Sequence, residues 1–245
     1  MKPSFAMALE DSEALVPEDS MDEQLGLAAG DFSSWMIEIR DAIRGNRASD
    51  VPCDGCTACC ISSQFIHIGP DETDTLSHIP AKLLFRAPLL PRGHVVLGYD
   101  ERGHCPMVNS SGCSIYEYRP GTCRTYDCRI FPATGIAVDD DKPLIARQVQ
   151  RWRFSFPSEA DRSQHAAVKA AATFIREHSR RLPTRTVPTN ATQLAVLAIQ
   201  VHGVFLRRYE GTGHITVVDP HPDMVRAEVM RQIALQLPRR RGRSG

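Results

Sequence analysis

The sequence predicts an α+β fold: a small cysteine-cluster domain with short strands and a hairpin, flanking helices, and a mainly helical C-terminal part. Three observations predict it. All eight cysteines fall between residues 53 and 128. Strand-length segments and one turn-centred hairpin lie within that stretch, and from Ser158 onward the apolar residues repeat at helical spacing. Domain boundaries follow at 1–30 for an acidic arm, 31–156 for the cysteine domain with a leading helix, 157–237 for the helical part and 238–245 for a basic tail.

Residues 1 to about 30 carry Glu10, Asp11, Glu13, Glu18, Asp19, Asp22 and Glu23 against Lys2, the composition of a disordered arm. Asp31 is placed to cap a helix with the stripe Phe32, Trp35, Met36, Ile39 and Ile43, ending near Gly45. Gln64–Ile68 and His94–Tyr99 are strand segments. Gly69-Pro70-Asp71-Glu72 opens a helix, with Pro in the first turn and acids complementing the dipole. Cys105–Val108 and Cys113–Tyr116 flank Asn109-Ser110-Ser111-Gly112, a turn by composition, so a hairpin brings Cys105 and Cys113 together. Ile145–Phe156, with Trp152, Phe154 and Phe156 alternating, reads as a half-buried strand. Ser158 caps a helix faced by Ala167, Val168, Ala171, Ala172, Phe174 and Ile175 that runs to Pro183. Thr189–Tyr209 reads as a second amphipathic helix through Leu194, Leu197, Val201, Val204 and Phe205. Ile215–Val218 is a short strand, and Pro222–Leu237 a third helix carrying Met224, Val225, Val229, Ile233 and Leu237.

Formal net charge is zero and the hydrophobic content is 42%, ordinary for a globular chain with no global field toward nucleic acid or membrane. No run approaches the roughly 20 apolar residues of a spanning helix. Met1–Leu9 is too short for a signal peptide, so the expected compartment is the cytoplasm, where clustered cysteines serve metals or catalysis rather than disulfides. The basic end, Arg239-Arg240-Arg241-Gly242-Arg243, lacks interleaved aromatics and reads as a solvated tail.

Cys53, Cys56, Cys59 and Cys60 put four thiols in eight residues, a density that packing does not require. Cys59 and Cys60 cannot readily bridge each other: a trans peptide holds neighbouring Cα atoms about 3.8 Å apart, whereas disulfides favour about 4.4–6.8 Å. On an ideal helix, at about 100° per residue, the four thiols span roughly 120° of arc. Gly55 instead argues for a turn over the first half. Either geometry makes the thiols converge, and convergent thiolates need a soft cation: zinc or an iron–sulfur cluster. Cys105, Cys113, Cys123 and Cys128 supply the second half, at spacings that fit neither paired zinc knuckles nor the common ferredoxin patterns. If two centres exist, the spacing groups Cys53, Cys56, Cys59 and Cys60 apart from the later four, or divides the vicinal pair Cys59 and Cys60 between them. Arg119, Arg124 and Arg129 flank the second set and can offset thiolate charge or pair with nearby acids. Tyr116, Tyr118 and Tyr126 read as packing. His67, His78, His94 and His104 are spare ligands beside eight thiols, His104 foremost because it adjoins Cys105. No serine–histidine–aspartate set or phosphate loop can be picked out.

The run Cys53-x-x-Cys56-x-x-Cys59-Cys60, followed by Cys105-Pro106, Cys113-Ser-Ile-Tyr-Glu-Tyr-Arg-Pro120 and Cys123-Arg124, resembles the YkgJ-type cysteine-cluster family over residues 53–131. The resemblance implies a zinc- or iron-chelating domain carried by these cysteines. One branch, the flagellin lysine N-methylases, shares the cysteine pattern and resembles iron–sulfur methyl-transfer proteins. Three function classes follow: a metal-binding protein of redox or metal-handling role, a protein-lysine methyltransferase-like enzyme, and a structural-zinc module recruiting an unidentified protein partner.

Overall fold

The computed structural model describes residues 26–49, 51–52, 55–88, 90–179, 182, 188–211 and 214–236. Residues 1–25 of the acidic arm, Cys53, Pro183 and the basic tail lie outside the described residues. The architecture is mixed α+β, with a helical C-terminal part.

Strand β1, Leu27–Asp31, leads directly into helix α1, Phe32–Ile43. Composition placed residues 27–30 in the arm, and the structure corrects this. Leu27-Ala28-Ala29-Gly30 has no strand-like alternation, and it is extended because it pairs in parallel with β7, Trp152–Ser155. Helix α1 buries Phe32, Trp35, Met36 and Ile39 as its spacing predicts, and closes the face with Ala42, while the expected Ile43 is only half-buried. Asp31 stands at its N-cap in extended backbone, but its carboxylate accepts from Ser155 Oγ rather than from the helix.

The cysteine-rich half holds a three-stranded antiparallel sheet in the order β2–β4–β3: β2 is Ile66–Ile68, β3 Leu84–Arg86 and β4 Val95–Leu97. Both predicted strands fall here, shortened at their ends. Helix α2, Thr73–Ser77, starts after the predicted Gly69–Glu72 opening because those residues form a turn, where Glu72 Oε1 accepts from Gly69 N–H at 2.8 Å. Strands β5, Val108–Asn109, and β6, Gly112–Cys113, form the predicted hairpin. Gly112 takes φ +110° at its turn, a conformation that a Cβ disfavours. Ile68, Ile79, Leu97 and Ile115 form a small core, with Cys105 and Cys113 packed against it.

The second half is built of α3 (Gly121–Thr125), α4 (Ile130–Thr134), α5 (Pro143–Arg151), α6 (Glu159–Glu177), α7 (Ala191–Val201) and α8 (Pro222–Gln236). Residues 145–151, expected to be extended, are helical. Pro143 sits at the helix N-terminus, where its fixed φ suits the first turn. Ile145 and Val149 then share one face, and alternation is confined to β7. The expected helix 189–209 is likewise shorter. It passes into a 3-10 turn, His202–Phe205, and then strand β8, Leu206–Arg208, which pairs with β9, Ile215–Val217. One face each of α1, α4, α6 and α7, with Trp152, Val225 and Val229, forms much of the main core.

Helix α6 carries the Ser158–Asp161 capping box. Burial pushes the Asp161 carboxyl up, but hydrogen bonds from Ser158 and Ser33 outweigh it and hold it well below the ordinary carboxylate range. Burial also pushes His165 and His202 below the usual imidazole value. His165 packs among the rings of Phe32 and Phe156. Histidines that are neutral when folded bind protons on unfolding, so they lower stability as pH falls through about 6.5. The depressed Asp161 contributes stability above its unfolded value of about 3.9 and loses it below. Thermal melts are therefore expected to fall in two stages between pH 8 and 3, the first beginning as pH drops through about 6.5. A midpoint flat from pH 8 to 5 would contradict the histidine assignment.

Candidate metal centre

The site begins with Gly55, held at φ +68°, followed by a 3-10 turn over Ala58–Ile61. Gly55 thus sits in the turn that it suggested, and residues 58–61 are wound tighter than an α-helix. A 3-10 helix advances about 120° per residue, so Cys59 and Cys60 leave it in widely different directions. Their surroundings show the division.

Cys60 belongs with Cys105, Cys113 and Cys123. The amide of Cys105 donates to the Cys60 carbonyl at 2.6 Å. Burial pushes the Cys123 thiol up to about 12, reinforced by the neighbouring charges of Cys60, Cys105 and Cys113, with Arg119 opposing. Cys105 is also raised, first by burial. These four thiols come from four segments: the 3-10 turn, the loop before β5, strand β6 and helix α3. They sit where the small sheet core meets the helical body. Across the same junction Thr122 Oγ1 donates to the His67 carbonyl at 2.8 Å, and Lys142 Nζ to the Ser62 carbonyl at 2.9 Å.

Cys59 and Cys128 lie on the other side, packed with the main core. Burial lifts the Tyr126 hydroxyl far above its ordinary range, and Cys59 and Cys128 add to the shift, so both sulfurs neighbour this ring. Trp152 Nε1–H donates to Cys128 Sγ at 3.1 Å. Cys56 shares a cavity wall with the same Trp152. Cys53 lies outside the described residues. The division by sequence order, first four cysteines against last four, is therefore not the division in space.

Seven cysteines are described, all as thiols. Among the described residues no group of three or more His, Cys, Asp or Glu side chains is placed to hold a metal ion. The Cys60, Cys105, Cys113 and Cys123 set fits a soft cation in donor type. Such an ion would supply the positive charge that these mutually repelling sulfurs need in order to ionise.

Of the three flanking arginines, only Arg119 faces the thiols. Its guanidinium lies 3.6 Å over the Tyr116 ring, and it lowers Cys123 against burial. Arg124 approaches Glu72 at 3.7 Å, and Arg129 forms a buried pair with Asp127 at 2.9 Å. His67 and His94 hydrogen-bond each other at 2.9 Å across β2 and β4, and His78 stacks on Tyr118. His104 is half-buried, with its amide bonded to Asp100. Sequence reasoning missed Trp152 as a sulfur partner and Arg151 beside Cys56. The aromatic alternation at 152–156 marked the segment, but nothing in it marked the sulfur.

Among the described residues no helix is long and apolar enough to cross a membrane. No curated protein and no solved structure matches the chain. Residues 52–142, the segment that brings these cysteines together, match the model of the CxxCxxCC family, described as "Putative zinc- or iron-chelating domain".

Proposed function

We propose that this chain holds a soft metal, as zinc or an iron–sulfur cluster, on cysteine sulfur in two separate sets. Cys60, Cys105, Cys113 and Cys123 form the first. Cys56, Cys59 and Cys128 form the second, with Cys53 joining it by its spacing from Cys56. The observation that supports this reading is that Cys60, Cys105 and Cys113, from three separate segments, all neighbour the buried Cys123 thiol on a fourth. Packing alone gives no reason for such an arrangement, and soft-metal ligation does. The expected role is redox or metal handling.

Location favours a structural contribution from the first set: a metal there ties the sheet to the helical body, so its binding energy is also folding energy. Cys56 of the second set lines an open cavity, which makes that set the better placed for chemistry. The test is metal and acid-labile sulfide analysis, with an absorption spectrum, on protein purified without oxygen. Iron and sulfide in near-equal amounts, with a brown chromophore that bleaches on reduction, is the result for a cluster. Stoichiometric zinc without visible absorbance assigns a structural role and directs the search to binding partners. Protein with neither metal, whatever the supply, sinks the proposal.

A further inference from the structure

The chain has two tryptophans, and the fold aims both indole N–H groups at one dipeptide. Trp35, on α1, donates to Asp127 Oδ2 at 2.9 Å, and Trp152, at the start of β7, donates to Cys128 Sγ at 3.1 Å. All four residues are buried. A buried indole N–H needs an acceptor. Trp35 finds an ordinary one, a carboxylate, whereas Trp152 meets sulfur.

The indole nitrogen is a donor only, so the direction of that bond is fixed and the Cys128 sulfur accepts. Sulfur accepts weakly as a thiol and more strongly as a thiolate, where the bond is charge-assisted. An outer donor on a sulfur is also how metal ligands are oriented and tuned. The backbone here is held independently: the Ile130 amide donates to the Asp127 carbonyl at 3.2 Å and the Phe131 amide to the Cys128 carbonyl at 3.3 Å. What this leaves for Trp152 to restrain is the rotation of the Cys128 side chain. Cys59 and Cys128 both neighbour the Tyr126 hydroxyl, so the restrained sulfur stands near a second soft donor of the kind that zinc and iron–sulfur centres take.

We propose that Trp152 is a positioning residue of the second sulfur set: its indole N–H fixes the Cys128 sulfur and donates to it when that sulfur holds metal. The proposal rests on the metal reading above and adds to it the group that sets how firmly the second set holds its ion. Trp35 is the internal control, equally buried but bonded to oxygen.

The test uses the full chain with isotopically labelled tryptophan, which gives one indole N–H resonance from each of the two residues. Cadmium, a soft divalent ion, is the probe, and its magnetic isotope couples to a proton hydrogen-bonded to a ligand sulfur. Trp35→Phe assigns the pair. In cadmium-loaded protein the Trp152 indole proton is expected to be split by the magnetic isotope and the Trp35 proton to stay unsplit. In competition with a chelator, Trp152→Phe is expected to weaken cadmium binding in the second set at least tenfold, and Trp35→Phe to weaken it less. An unsplit Trp152 proton overturns the proposal, as do cadmium affinities that are unchanged in Trp152→Phe or equally reduced in both variants. The splitting is read on the unaltered chain, so it decides the matter even where Trp152→Phe fails to fold. The two readings fail separately. A parent chain that binds no cadmium loses the sulfur centres and this role with them, whereas a loaded parent with an unsplit Trp152 proton keeps the centres and loses the role alone.

Discussion

Replacing Asp127 with alanine is expected to lower the unfolding free energy by about 3–5 kcal/mol, the usual consequence of removing one partner from a buried ion pair. The Asp127 carboxylate is fully enclosed. It accepts from Trp35 Nε1 at 2.9 Å, Ser49 Oγ at 2.9 Å, and Arg129 through its amide at 2.9 Å, Nε at 3.0 Å and Nη2 at 2.9 Å. Arg129 in turn donates to the Ala29 carbonyl of β1 at 3.1 Å. One side chain therefore ties α1, the loop at residue 49 and, through Arg129, strand β1 to the segment that carries Cys128. Alanine removes the carboxylate from a guanidinium that stays buried, and removes the acceptor of a buried indole N–H. Chemical denaturation measures the effect. Adding Arg129→Met should recover part of the loss, because removing both charges costs less than removing one. A single variant within about 1 kcal/mol of the parent would show that the pair is not the anchor its geometry indicates.

Cys60→Ser and Cys59→Ser, one residue apart, are expected to behave differently. The first should empty the set at the junction and cut the melting temperature sharply. A structural zinc of this kind supplies on the order of 10 kcal/mol of apparent binding energy to folding. Cys123→Ser should match it, because Cys60 is among the neighbours of the Cys123 sulfur. Cys59→Ser should instead release metal from the second set and change the surroundings of Trp152, whose N–H meets Cys128. Metal stoichiometry and melting on all three variants are the measurement. Identical losses from Cys59→Ser and Cys60→Ser would falsify the two-set arrangement. Unchanged metal in all three removes these cysteines as ligands.

Local signals in the chain foretold much of this architecture. Helix α1 shows in the Phe32, Trp35, Met36 and Ile39 spacing, α6 in its Ser158 cap and alanine-rich face, and the hairpin in Asn109–Gly112. What failed to show depended on partners far along the chain. Strand β1 has small residues and no alternation, and exists because β7 lies beside it. Strand β8 was hidden because Val201, Val204 and Phe205 keep helical spacing through a 3-10 turn. The cysteines announced themselves by density, but their grouping did not. Adjacent residues point about 100–120° apart on either kind of helical turn, so spacing alone does not say whether Cys59 and Cys60 serve one centre or two. Arg151 gave no signal, since an arginine at the end of a helix is ordinary and only the folded cavity sets it beside Cys56.

The parallel pairing of β1 with β7 bears on how the chain folds. These strands are joined by residues 32–151, so the pairing closes a very long loop that contains all eight cysteines. Closing a loop costs entropy that grows with the logarithm of its length, about 0.6 kcal/mol for each doubling. A metal captured early by Cys60, Cys105, Cys113 and Cys123 would gather much of the intervening chain and shorten the segment still to be closed. Metal supplied during refolding should therefore speed the arrival of β1 beside β7, as well as hold the finished structure together. The order of assembly would then run from the sulfur junction outward to the two strands that bracket it.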